Sequence, residues 1–181
     1  DLAQLTTAAI NFPAEEALAT EMAISSPELR LQRVAALLAL RRQEPVIVVT
    51  SLAGAERLLP QPAALDQAQL TFSVGQTYQF ADIKATLMMM GFTATKLVQT
   101  PGEFAQRGAI FDIYPLTGDE PIRLDFFDDE LDQIKTFDVS TQKSTGTLST
   151  ISIDPVTDFI VSEADYTAAT DQIEAAFNQY R

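Results

Sequence analysis

The stretch PGEFAQRGAIFDIYPLTGDEPIRLDFFDDELDQIKTF, residues 101–137, decides how the chain folds. Short alternating runs at 108–114, 122–127 and 134–137 are separated by turn residues, including Thr117-Gly118-Asp119 and Asp128-Asp129. This pattern predicts tightly connected strands of a small antiparallel sheet. Side chains alternate along a strand, so Ile122, Leu124 and Phe126 form a core face and Arg123, Asp125 and Phe127 the opposite one. A phenylalanine therefore shares the side expected to meet water with an arginine and an aspartate. Arg107 reaches the same face if residues 102–106 lead in as a strand or a bulge. An Arg–Phe–Arg patch in an acidic surround has the composition of a protein-interaction hot spot. The residues alone leave two other readings open. A bulge before Asp128 would turn Phe127 inward, and Arg123 could serve only as a cross-strand partner for a carboxylate such as Asp112 or Asp125.

Working outward, residues 70–74 alternate as a strand, and Phe80 to Met90 reads as a helix stopped by Gly91. Further short strands are expected at 95–98 and 148–153. Residues 66–155 then form an α+β domain, an antiparallel sheet with one helix on it. Residues 1–65 have a different texture. Ser25-Ser26-Pro27-Glu28 has the cap, first-turn proline and carboxylate of a helix start. Leu31, Val34, Leu37, Leu38 and Arg41 follow at helical spacing, and Pro45 breaks the helix. Val46 to Val49 is apolar on both faces, the pattern of a strand buried in a parallel sheet. Ser51 can cap a short helix through Leu59. The change of texture at Pro60–Asp66 marks the expected domain boundary. Residues 156–181 read as a helical segment that packs on the first domain, with Tyr166, Ile173, Phe177 and Tyr180 as buried positions. The fold class is thus α/β, a partial parallel-sheet domain plus a small α+β domain with an antiparallel sheet.

With 181 residues and 46% hydrophobic composition, the chain can bury a proper core. It opens on Asp1 in helical sequence and ends in another helix, so it is expected to be a piece of a longer protein. No apolar run approaches the roughly 20 residues that span a bilayer, and the absence of cysteine fits a cytoplasmic setting. Net charge is −13. Residues 1–65 carry 5 basic and 7 acidic groups, residues 66–155 carry 6 and 13, and residues 156–181 carry 1 and 5. Such an excess of carboxylates repels phosphate, which argues against direct nucleic-acid binding. None of the seven glycines is followed by lysine, so no phosphate loop can be assembled. With no histidine or cysteine, acid–base triads and most zinc sites are excluded. No catalytic residue, cofactor site or metal site is expected. The acidic run Asp125, Asp128, Asp129, Glu130, Asp132 invites a divalent-cation hypothesis, but it lacks the spacing of a calcium loop and reads as a solvated turn. The Met88-Met89-Met90 triplet reads as core plus a partly exposed residue rather than a binding groove.

The runs GEFAQRGA (102–109), IRLDFFDDE (122–130) and TFDVSTQ (136–142) occur in order. Together they resemble the domain shared by the bacterial excision-repair helicase UvrB and the transcription-repair coupling factors (Mfd). The resemblance is strong over residues 66–155 and weaker upstream. It favours the coupling-factor side, because the 12–30 window lacks the tyrosines of the UvrB β-hairpin. A fragment of UvrB itself is the alternative, and an acidic-cluster metal-binding enzyme a remote one. The resemblance implies a degenerate helicase-like first domain without ATP binding, and a non-catalytic module that docks the repair protein UvrA at stalled transcription complexes. It assigns UvrA contacts to Arg107, Arg123 and Phe127, with Asp125 and Asp128 as possible additional contacts. It further implies a longer parent, an ATP-dependent DNA translocase. There a C-terminal domain covers the same surface, and other domains reach RNA polymerase and DNA. Residues 139–147 depart from the family's usual acidic run, which leaves the role of that loop open.

Overall fold

A computed structural model describes residues 9–14, 27–118, 120–160 and 163–179 of the chain. In the first segment, β1 (Ala9–Phe12) pairs in parallel with β2 (Ile47–Thr50), and α1 (Pro27–Arg41) connects them. Ser25 and Ser26, the expected cap, lie outside the described residues. Glu28 in the first turn and Arg41 in the last complement the helix dipole. Val34, Ala36, Leu37 and Leu38 are its buried stripe, as the helical spacing requires. β2 is parallel as expected but is not buried on both faces, since Val49 is exposed. Among the described residues the sheet has only two strands, too few to surround either one. Ser51 does cap a helix, its Oγ accepting from the Gly54 N–H at 3.2 Å, but that helix, α2 (Leu52–Ala55), is shorter than the expected one. Next, α3 (Pro62–Gln67) forms within the stretch read as a boundary, and its Leu65 packs with Phe12, Ala36 and Leu37.

The rest is built on a six-stranded sheet in the order β4 (Thr93–Ala94), β5 (Glu103–Arg107), β6 (Ile110–Ile113), β7 (Ile122–Phe127), β8 (Glu130–Phe137), β9 (Ser144–Leu148). All pairs are antiparallel except β4 with β5. A separate antiparallel pair joins β3 (Leu70–Ser73) to β10 (Thr150–Ile153). Helix α4 (Phe80–Met89) covers one face of the sheet. Its Ile83 and Leu87 pack with Phe104, Phe111, Ile113, Ile122, Leu124, Phe126, Leu131 and Ile134, the residues that alternation sends inward. Phe80 meets Phe111 and Phe126 edge-to-face with centroids 5.4 and 5.1 Å apart, an arrangement that adds about 0.5–1.5 kcal/mol per pair beyond area burial. Gly91 ends α4 with φ 89°, and a Cβ there would lie 2.8 Å from Thr157 Cβ, so both turn and packing call for glycine.

Several expectations are corrected. Residues 95–98 form a bend, and the nearby strand is Thr93–Ala94. The expected run at 148–153 is divided between β9 and β10, which belong to different sheets. Met90 is core, but Met88 and Met89 are both exposed. In α5 (Glu163–Gln179), Ile173 and Phe177 face solvent rather than a core, and every described side chain from 167 to 178 is exposed. The side chains of Tyr166 and Tyr180 lie outside the described residues.

Residues 154–160, just before that helix, return to α1. Asp154 is buried and accepts from Arg42 Nη2 at 2.7 Å and Gln69 Nε2 at 2.9 Å, with Arg41 Nη2 at 3.1 Å. Asp158 accepts from the buried Arg33 Nε at 2.7 Å and lies 3.1 Å from Arg57 Nη2. The acidic tail segment and the basic stripe of α1 are thus clasped through two carboxylates.

Candidate protein-interaction site

The face of the six-stranded sheet turned away from α4 carries Ala105 and Arg107 on β5, Ile110 and Asp112 on β6, Arg123, Asp125 and Phe127 on β7, and Gln133, Lys135 and Phe137 on β8. Register places Asp112 directly opposite Arg123, with Ala105 on its other side. β5 is a strand, so Arg107 falls on this face as expected.

Phe127 is 76% exposed at the last position of β7. Its inward rotation by a bulge does not occur. The register shift near it instead makes Asp132 on β8 the extra residue, and β7 keeps its alternation to the end. The chain turns immediately afterwards through Asp128, held at φ 53°. Asp128 itself is exposed at this turn, and Asp125 is half-buried, 3.5 Å from Lys135 Nζ.

Arg123 is the better-anchored arginine. Its Nε donates to Asp112 Oδ1 at 2.6 Å and its Nη2 to Asp112 Oδ2 at 3.0 Å, a two-pronged pair with a carboxylate that is completely buried. Nη2 also reaches Gln142 Oε1 at 3.1 Å, and Cζ lies 4.4 Å from the ring centroid of Phe137. Hydrogen bonding to Asp112 raises the Arg123 pKa, against burial, with help from the charges of Asp112 and Asp125. Only 16% of its side chain is exposed. The cross-strand reading with Asp112 therefore describes its ground-state contacts. Arg107 donates through Nη2 to the same Asp112 Oδ2, yet 45% of its side chain remains exposed.

The loop left open by sequence reading supplies the other wall. Phe137 is fully buried on this face rather than in the main core, beneath the Arg123 guanidinium. Residues 138–143 fold into a tight turn, the Gln142 N–H donating to Asp138 O at 2.8 Å and the Asp138 N–H to Lys143 O at 3.0 Å. Asp138 Oδ1 accepts from Ser140 Oγ at 2.6 Å and from the Thr141 N–H at 2.7 Å and Oγ1 at 2.9 Å. These bonds lower its pKa to about 2. Gln142, at φ 59°, is thereby held against Arg123. The three sequence runs thus share one face: Arg107 from the first, Arg123 from the second and Phe137 and Gln142 from the third cluster around Asp112, while Phe127 stands at the end of the second run, opposite Glu130. Phe137 and Gln142 escaped the sequence reading, although the position of Phe137 two residues after Lys135 on one strand was a usable signal.

Residues 70–159 match the family model described as the UvrB interaction domain. They belong to the UvrB interaction domain family. The chain is 35% identical over 164 residues to the transcription-repair-coupling factor of Bacillus subtilis (strain 168), covering 91% of this chain. It is 31% identical over 170 residues to the protein of that name from Staphylococcus aureus (strain MRSA252), covering 94% of this chain. It spans 14% of the length of each relative. The acidic-enzyme alternative gains nothing: among the described residues no three acidic side chains gather as a metal-ligand set. No helix among them is long and apolar enough to cross a membrane.

Proposed function

We propose that this UvrB interaction domain is a docking module of a transcription-repair coupling factor, and that its partner is UvrA. The single observation that carries the reading is the open face where Phe127 and nearly half of the Arg107 side chain lie exposed beside a hydrogen-bonded polar base. Phe127 fills an apolar pocket on UvrA, while the remaining N–H groups of Arg107 and the outer edge of Arg123 meet carboxylate or carbonyl oxygens. Asp125 and Asp128 stand at the rim. The module performs no chemistry of its own; recognition brings excision repair to a stalled transcription complex. In the longer parent the translocase, RNA polymerase and DNA contacts reside elsewhere, and a C-terminal domain covers this face until the motor engages.

The test is a titration of purified UvrA with this chain, beside folded Arg107→Ala and Phe127→Ala variants. Saturable binding by the unaltered chain, weakened at least tenfold by either substitution, is the expected result for hot-spot residues. No binding by the unaltered chain would remove UvrA as partner. Equal binding by all three would move the site off this face.

A further inference from the structure

Asp112 is the feature of this face that nothing so far explains. It is a fully buried carboxylate on a central strand, on the side of the sheet away from the main core. A buried carboxylate is costly unless paired. Here it is over-paired, since two guanidiniums converge on it, Arg123 from directly across on β7 and Arg107 diagonally from β5. Two like charges brought together without it would repel and each would seek solvent. Ala105, the small residue opposite Asp112 on β5, carries no side chain that could compete for the carboxylate.

The consequences for the two arginines differ. Arg123 is closed in by Asp112, Gln142 and Phe137. Arg107 gives Asp112 one nitrogen and keeps nearly half its side chain in solvent. A long exposed arginine ordinarily loses considerable rotamer freedom when a partner immobilises it, and binding is weakened accordingly. One anchored at one nitrogen has lost part of that freedom before the partner arrives.

We propose that Asp112 is the positioning residue of the docking face, a carboxylate that touches no partner but fixes Arg107 in the orientation in which UvrA captures it. This rests on the docking reading above, and the experiment separates the two. UvrA affinity is measured for the unaltered chain, Asp112→Asn, Arg107→Ala and the double variant, while ¹⁵N NMR follows the arginine Nε–H signals of the free chains. Asparagine keeps the size but lacks the charge and one acceptor. Asp112→Asn is expected to weaken binding about tenfold, and Arg107→Ala in the Asp112→Asn background to cost little more, because coupled residues are non-additive. In the free chain, the Arg107 side chain becomes mobile in Asp112→Asn. Fully additive losses would overturn the proposal, because a merely structural role of Asp112 does not depend on Arg107. Unaltered affinity of Asp112→Asn would overturn it as well. Should UvrA fail to bind the unaltered chain, the docking reading falls. The NMR then decides alone whether Asp112 orders Arg107, and unchanged Arg107 dynamics reject it. Where Asp112→Asn does not fold, Arg107→Lys takes its place. It keeps the charge but not the Nη2 donor that Asp112 holds, so about tenfold weaker binding supports the proposal and equal binding overturns it.

Discussion

Phe127 leaves its ring in water while Arg123, four residues earlier on the same strand face, does not. The difference comes from what lies across the sheet. Arg123 has a carboxylate in register and a loop above it, whereas Phe127 stands at the strand end opposite the exposed Glu130. Phe127→Ala should therefore change the stability of the free chain by no more than about 0.5 kcal/mol in urea unfolding. Leu124→Ala, at a fully buried position of the same strand, should cost about 2–5 kcal/mol. Asp138 gives a second residue-scale test. Its folded pKa of about 2 lies below the ordinary aspartate value of 3.8. Its contribution is complete above that unfolded value and fades as pH falls toward about 2, because protonation removes the acceptor that Ser140 and Thr141 share. Amide signals of Thr141 and Gln142 should shift together through that acid window, and Asp138→Asn should abolish the shared titration.

At the scale of elements, the β7–β8 hairpin is closed by two aspartates, with Asp128 in the left-handed region. Glycine occupies that region without the Cβ clash. Asp128→Gly should stabilise the domain by about 0.5–1 kcal/mol, read as a raised thermal midpoint. β7 was legible to its last residue because Ile122 to Phe127 alternates without a break, and that alternation alone singled out Phe127. The depth of Asp112 was not legible. A carboxylate on the polar side of a strand reads as solvated, and only the convergence of β5 and β7 buries it. Phe137 was hidden for a related reason. Its cover is the Arg123 guanidinium, held by a loop whose shape depends on hydrogen bonds that one aspartate accepts from serine and threonine, which leaves no periodic trace. In α5 the apolar spacing of Ile173 and Phe177 was visible, but spacing says which side of a helix is apolar and not whether anything covers it.

The whole molecule is held together by charge as well as by core. α1 reaches the sheet domain through Leu31, which packs against Gly102 at 3.3 Å from an imagined Cβ, and through the Asp154 and Asp158 clasps. Removing one partner of a buried pair strands the other, at about 3–5 kcal/mol. Asp158→Ala should leave Arg33 in that position, its Nη1 already having no hydrogen-bond partner among the described residues. Calorimetry should show the first segment melting ahead of the sheet domain in this variant. The exposed ring at position 127 also has a use as a spectroscopic reporter. The chain contains no tryptophan, so Phe127→Trp grown on 5-fluorotryptophan would carry a single ¹⁹F label. One resonance, sharp in the free chain and displaced when the indole leaves water, would then record occupancy of this face in any mixture to which the protein is added.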